Sequence, residues 1–92
     1  MQFEWDPDKA AANLKKHGVS FEFAIETFSD RLAIEKFDDR YDYGEDRFIR
    51  IGQARGMLLT VVCTDNEQIT RIISARRAVR NEQDQYHCEN AI

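Results

Sequence analysis

Proline is almost missing from this chain of 92 residues: Pro7 is the only one, and there are just four glycines. With so few breakers and no stretch rich in Pro, Gly or Ser, nothing reads as a linker, and no repeat or low-complexity segment interrupts the pattern. A typical domain holds ~100–150 residues, so a single domain over residues 1–92 is expected. Cysteine is scarce as well. Cys63 and Cys88 stand far apart, which excludes a disulfide-rich scaffold and supplies no local ligand spacing for zinc. Cys63 lies in an apolar run and reads as a free, buried, small hydrophobe. There is no H-E-x-x-H motif, and Asp38-Asp39 reads as a solvated loop run, so neither a metal nor a cofactor is expected. Long apolar runs are lacking too. The longest, Met57 to Cys63, falls far short of the ~20 residues of a membrane helix, so no membrane contact is expected. The opening Met1-Gln2-Phe3-Glu4-Trp5-Asp6 contains neither a basic nor an apolar leader segment, and the cytoplasm is the expected compartment.

What the chain does have is charge, unevenly spread. Residues 1–46 carry six Lys/Arg against twelve Asp/Glu, residues 47–80 carry seven Arg against two acids, and residues 81–92 carry three acids and no Lys or Arg. The middle segment thus holds an excess of five positive charges within a net charge of −4. All its cations are arginines, whose planar fork suits phosphate or carboxylate. Two uses fit equally: an arginine face that holds a polyanion, or a surface of ion pairs with the acidic half.

The apolar pattern places the elements. Phe3-Glu4-Trp5 alternates as a short strand. Asp6 followed by Pro7 is a helix start, and a helix is expected from Pro7 to about His17, ended by Gly18. Ser20 opens a second helix from Phe21 to about Ser29, with Phe21, Ala24, Ile25 and Phe28 on one stripe. Leu32 to Phe37 reads as a strand, 38–46 as an acidic loop, and Arg47 to Ile51 as a strand. Gln53 to Gly56 is a hairpin loop. Met57 to Thr64 reads as a central strand buried on both faces. Asp65 to Gln68 is a turn, Ile69 to Ala75 the last strand, and Arg76 to about Glu89 a C-terminal helix. Strands joined by short turns must be antiparallel. The expected fold is α+β, an antiparallel sheet of three to four strands with two N-terminal helices and a C-terminal helix.

Two stretches carry a resemblance. One is Phe3-Glu4-Trp5-Asp6-Pro7-Asp8-Lys9-Ala10, then Asn13, Lys16-His17-Gly18-Val19-Ser20-Phe21 and Ala24. The other is Arg47-Phe48, Ile51-Gly52, the run Leu58 to Thr64, Arg71-Ile72-Ile73-Ser74-Ala75-Arg76-Arg77-Ala78, and Glu82 and Tyr86 beyond. Together, in this order, they resemble the BrnT-type toxins of type II toxin–antitoxin modules over about residues 3–86. Phe23 departs from the pattern, where relatives often carry an acid. Asn81-Glu82-Gln83-Asp84 departs too, where relatives tend to be more basic. The resemblance implies a RelE-like fold and an endoribonuclease that cuts RNA and inhibits translation. It also implies a cognate antitoxin, BrnA-like and of the ribbon-helix-helix class, through which alone operator DNA would be reached.

RNA cleavage without metal uses the adjacent 2′-hydroxyl as nucleophile. It needs a base for that hydroxyl and cations for the charge that develops on phosphorus. Arg47, Arg71, Arg76 and Arg77 are the candidate cations. Arg76 and Arg77 are expected at a junction where a helix N-terminus also favours phosphate. His17, beside Lys16, is the candidate acid–base group, because an imidazole titrates near neutral pH; a Lys-His ending before Gly serves capping equally well. Arg50, Trp5 and Tyr86 are candidate RNA contacts, the two aromatics by stacking. Core packing is the commoner use of a tryptophan beside a strand–helix junction. A non-catalytic nucleic-acid-binding module and a protein-binding scaffold are the rival readings of the same arginines.

Overall fold

A computed structural model describes residues 1–40, 44–65 and 68–91. Parts of the expected 38–46 loop and of the expected turn at Asp65–Gln68 fall on 41–43 and 66–67 and lie outside the described residues. Helix α1 spans Pro7–His17. The Asp6 carboxylate accepts from the Asp8 N–H at 2.8 Å, Pro7 occupies the first turn, and Gly18 closes the helix in the left-handed region at φ 70°. Helix α2 is shorter than its apolar stripe suggests. It covers Phe21–Ala24 and tightens into a 3₁₀ turn over Ile25–Ser29. That turn lies directly on the sheet at Gly52, where a Cβ would stand 3.0 Å from the Thr27 Cβ and 3.1 Å from the Ala33 Cβ.

Among the described residues the sheet has five strands: β1 Gln2–Glu4, β2 Ile34–Phe37, β3 Arg47–Ala54, β4 Met57–Asp65 and β5 Ile69–Arg77, ordered β1-β5-β4-β3-β2. The last four form the antiparallel meander expected of connections shorter than the dozen or more residues that a parallel crossover needs. The sheet is nevertheless mixed and larger than the three or four antiparallel strands expected, because β1 joins β5 in parallel. The short-turn rule acts only on neighbours in sequence. No turn connects β1 to β5, so nothing in the turn chemistry fixes their relative direction.

Alternation along β4 divides the sheet into two faces. Leu59, Val61 and Cys63 point to the first, where Val19, Phe21 and Ala24 of the N-terminal segment close the main core together with Ile72 and Ala75. Burial pushes the Cys63 thiol up to about 12, an inert small hydrophobe as its surroundings in sequence suggest. The second face is only partly covered. Helix α3, Arg80–Glu89, sets Tyr86 with Ala78 on Ile51, flanked by Ile34 and Leu58. This helix begins four residues later than expected. Arg76 and Arg77 continue β5 opposite Thr60 and Leu59, and the Ala78 N–H donates to the Leu58 carbonyl at 2.9 Å. Among the described residues no helix is long and apolar enough to cross a membrane.

One buried side chain ties the N-terminal layer to the sheet. β1 covers β5 only over Ile69–Arg71, which leaves the rest of that edge without a strand. Asn13 supplies the missing partner. Its Nδ2 donates to the Ala75 carbonyl at 2.8 Å and its Oδ1 accepts the Ala75 N–H at 3.2 Å, while Nδ2 also donates to the Val19 carbonyl at 2.9 Å. The amide behaves as one residue of a sixth strand. Replacing Asn13 by Ala leaves these groups buried and unpaired, at a cost of about 2–4 kcal/mol. Urea unfolding should show a lowered midpoint at unchanged slope; wild-type stability would show that the edge is satisfied some other way.

Candidate active cleft on the open sheet face

The register of β5 decides which arginines meet. On β4, Thr60, Val62 and Thr64 point to the second face, opposite Arg76, Ser74 and Arg71. Thr60 and Thr64 are four residues apart, whereas Arg76 and Arg71 are five apart. Strict alternation would send those two arginines to opposite faces. The register shift between Val62 and Cys63 places one extra residue, Ile73, in β5 and brings both to the same face. The same strand periodicity separates Arg47 from Arg50. Arg47 stands opposite Thr64 on the second face, and Arg50 stands opposite Val61 on the first.

Arg47, Thr64, Arg71 and Glu4 therefore form a row across β3, β4, β5 and β1. Strands are ~4.8 Å apart, so the Arg47 and Arg71 backbones stand about 10 Å from each other. At this end of the sheet α3 is absent, and a cleft opens, lined by Glu4, Glu45, Asp46, Thr64, Asp65 and Arg71. Glu45 holds Arg47 from the side: its Oε1 accepts from Nε and Nη2, each at 3.2 Å. Among the described residues no carboxylate or hydrogen-bond acceptor holds the exposed Arg71 guanidinium. Glu45 is the residue that sequence reasoning missed, having been absorbed into an acidic loop. The available signal was its nearness to Arg47 in sequence, and Glu45 sits in a bend just before β3 begins.

Arg76 has a different environment. Its two Nη atoms clasp Glu82 of α3 at 2.8 and 2.9 Å. The same Glu82 Oε1 accepts from the Thr60 hydroxyl and from the Val79 N–H, both at 2.9 Å. The carboxylate thus fastens the start of α3 to two strands. Tyr86 and Asn90 complete the attachment. The Tyr86 hydroxyl donates to Asp30 at 2.8 Å, and the Asn90 amide donates to the Leu32 carbonyl at 3.0 Å.

The other expected site residues do not gather in the cleft. Arg50 is a packing cation on the first face, bound to Glu35 and to the Thr27 carbonyl, with its guanidinium carbon 4.5 Å from the Phe28 ring centre. Tyr86 is buried, so it presents no ring face for stacking; burial and the Asp30 carboxylate push its hydroxyl up to about 12. Trp5 packs edge-to-face on Phe21 at 5.9 Å within the core. Lys16 and His17 end α1 beside Gly18 and line no part of the cleft. Arg77 points to the first face opposite Leu59 and is exposed at the strand end. Neither Arg76 nor Arg77 belongs to a helix N-terminus, because β5 runs through both. Among the described residues no three His, Cys, Asp or Glu side chains come together as a metal site.

The Glu82 clasp has a measurable acid signature. Desolvation alone pushes its carboxyl up, but the Arg76 guanidinium, the Val79 N–H and the Thr60 hydroxyl overcome this and hold it at about 2 against an ordinary 4.5. Folding therefore gains from the ionised form. The gain is complete above about pH 4.5 and is lost as pH falls through about 2. At about 1.4 kcal/mol per unit it is worth on the order of 2–3 kcal/mol. Glu82→Gln should lose that much at neutral pH and flatten the stability curve across this window, read by urea unfolding at a series of pH values. A variant with the wild-type acid slope would assign that slope to other carboxyls.

No individual curated protein matches the chain. A family does: the profile of the ribonuclease toxins BrnT, of type II toxin–antitoxin systems, matches residues 5–82. That span takes in the Asn13 edge cap, Glu45, Arg47, Thr64, Arg71 and the Arg76–Glu82 clasp, and this chain belongs to the BrnT family of type II toxin–antitoxin ribonuclease toxins.

Proposed function

We propose that this toxin is a metal-independent endoribonuclease whose reaction takes place in the cleft at Glu45, Arg47 and Arg71. The observation that carries this reading is the Arg71 guanidinium. It is exposed in a cleft where a second arginine stands on the same face and a carboxylate adjoins it. Glu45 takes the proton of a ribose 2′-hydroxyl. The 2′ oxygen attacks the adjacent phosphorus, and the bond from phosphorus to the 5′ oxygen breaks. The 5′ oxygen leaves with a proton from water admitted at the open mouth. The products are a 2′,3′-cyclic phosphate and a free 5′-hydroxyl. Arg71 and Arg47 supply forked donors to the oxygens that gain charge in the transition state. Thr64 between them adds a hydroxyl to the same row. Lys16, His17 and Arg77 have no part in bond breaking in this scheme.

A type II toxin has a cognate antitoxin. We take this one to be of the ribbon-helix-helix class, to silence the toxin by covering the open sheet face, and to provide the only contact with operator DNA. Cutting of cellular RNA would then inhibit translation whenever the antitoxin is lost.

Purified toxin should cleave RNA in excess EDTA and leave cyclic-phosphate ends. Arg71→Ala and Glu45→Gln should each slow cleavage about 100-fold or more, with the circular dichroism spectrum of the wild type. Activity abolished by EDTA and restored by magnesium would overturn the metal-independent scheme, and an undiminished Arg71→Ala would displace the chemistry from this cleft.

A further inference from the structure

The cleft has an electrostatic shortfall. Four acidic residues, Glu4, Glu45, Asp46 and Asp65, line the cleft with Arg71, and Glu45 also holds Arg47 beside it. Carboxylates next to a guanidinium orient it, but they also repel an RNA backbone. Affinity for the strand must come from cations on the same face outside the cleft. The bulge in β5 puts one there. Thr60 with Arg76 repeats the arrangement of Thr64 with Arg71: a β4 threonine facing a β5 arginine in register. The two pairs are four β4 residues apart, about 13 Å along the strand.

The difference between the pairs is what occupies them. Arg71 is open, whereas at Arg76 a single carboxylate oxygen, Oε1 of Glu82, accepts from the Arg76 Nη1, the Thr60 hydroxyl and the Val79 N–H. A second bond joins Oε2 to Nη2 at 2.9 Å. Three convergent donors from three separate positions are an oxyanion cradle, and a phosphate oxygen satisfies the same donors as a carboxylate oxygen. Building on the cleft reading above, we infer that Thr60, Arg76 and the Val79 N–H form a second RNA-phosphate subsite, and that Glu82 is the intramolecular anion that holds it closed. The strand crosses the open face with one phosphate at Arg71 and a later one at Arg76, and Glu82 swings out to admit it. Displacement is feasible because α3 is held by a few polar ties, to Arg76 and Thr60, to Asp30 and to Leu32, around one small apolar contact made by Tyr86. The device tunes affinity for long strands and leaves the chemistry at Arg71 alone.

The test is binding of 2′-O-methyl oligonucleotides, which cannot react. A hexanucleotide and a dinucleoside monophosphate are compared; the second has one phosphate and cannot fill two subsites. Glu82→Gln, which removes the competing charge, should bind the hexanucleotide about tenfold more tightly and steepen the slope of log K against log salt by about 0.7, one further phosphate contact. Dinucleotide binding should not change. Adding Arg76→Ala to Glu82→Gln should erase the gain. Tyr86→Phe keeps Arg76 and Glu82 and releases only the tie to Asp30. It should shift hexanucleotide binding in the same direction, and it decides the matter where Glu82→Gln does not stay folded. Wild-type binding that depends on Arg71, with no gain in either variant, would overturn the subsite alone. Hexanucleotide binding indifferent to Arg71→Ala would overturn the cleft reading and the subsite together.

Discussion

Strand β5 has to satisfy hydrogen bonds on two edges, and most of the molecule is arranged around how it does so. On one edge β4 pairs with it from Thr70 to Arg77. On the other, β1 serves the first three residues and the Asn13 amide serves Ala75. Buried backbone groups left without partners would cost about 1–3 kcal/mol each, so α1 must lie alongside this edge. Val19 is then held by the same amide, which fixes the path into α2 and hence the layer over the first face. The polar side chain at Asn13 connects helix to sheet in a way that apolar contact, having no direction, cannot.

The same strand sets the chemistry of the second face. An unbulged β5 would present either Arg71 or Arg76 there, and never both. The extra residue at Ile73 breaks the alternation once. Bulges occur often beside active sites because they re-aim side chains at small cost to the ladder. Here the result is two Thr–Arg pairs on one surface, one open and one closed by the C-terminal helix.

Much of this was legible in the sequence, and what was not has identifiable causes. The α1 boundaries followed from Asp6, Pro7 and Gly18, since caps act within a few residues of the backbone they satisfy. The four-strand meander followed from alternation and from connections too short for a parallel crossover. The parallel β1 did not, because its partner is distant in sequence. The late start of α3 escaped notice because Arg76 to Val79 contains neither Gly nor Pro. The edge of β4 that takes up Arg76, Arg77 and the Ala78 N–H is a tertiary demand. The separation of Arg47 from Arg50 was available from spacing alone, as residues three apart on a strand face opposite ways. The agreement of Arg71 with Arg76 was not, since a bulge at Ile73 leaves no mark in composition. The expected open arginine face was also reduced by pairing. Of the seven arginines from Arg47 to Arg80, those at 47, 50, 55, 76 and 80 have carboxylate partners.

That pairing explains how an acidic protein can serve as a ribonuclease toxin. Unpaired arginines across one face would bind any polyanion and repel one another. Glu35 and Glu26 draw two of them onto the first face and its margin, where Arg50 and Arg55 stack over Phe28 and Phe23. The Arg50 charge becomes packing, while Arg55 stays largely exposed beside Glu26. Glu45 restrains the partly buried Arg47 and neutralises much of its charge. Of those seven arginines, only Arg71 and Arg77 keep no carboxylate among the described residues, and of these two Arg71 lines the cleft. On the open face the exposed cations outside carboxylate pairs are then few, Arg71 in the cleft and Lys36 on β2 among the described residues. On the proposed reading a strand that reaches Arg71 gains a bidentate phosphate contact, whereas one sliding over the surrounding carboxylates gains nothing. On that reading, selectivity for the cleft over the rest of the surface follows from the acids as much as from the arginine.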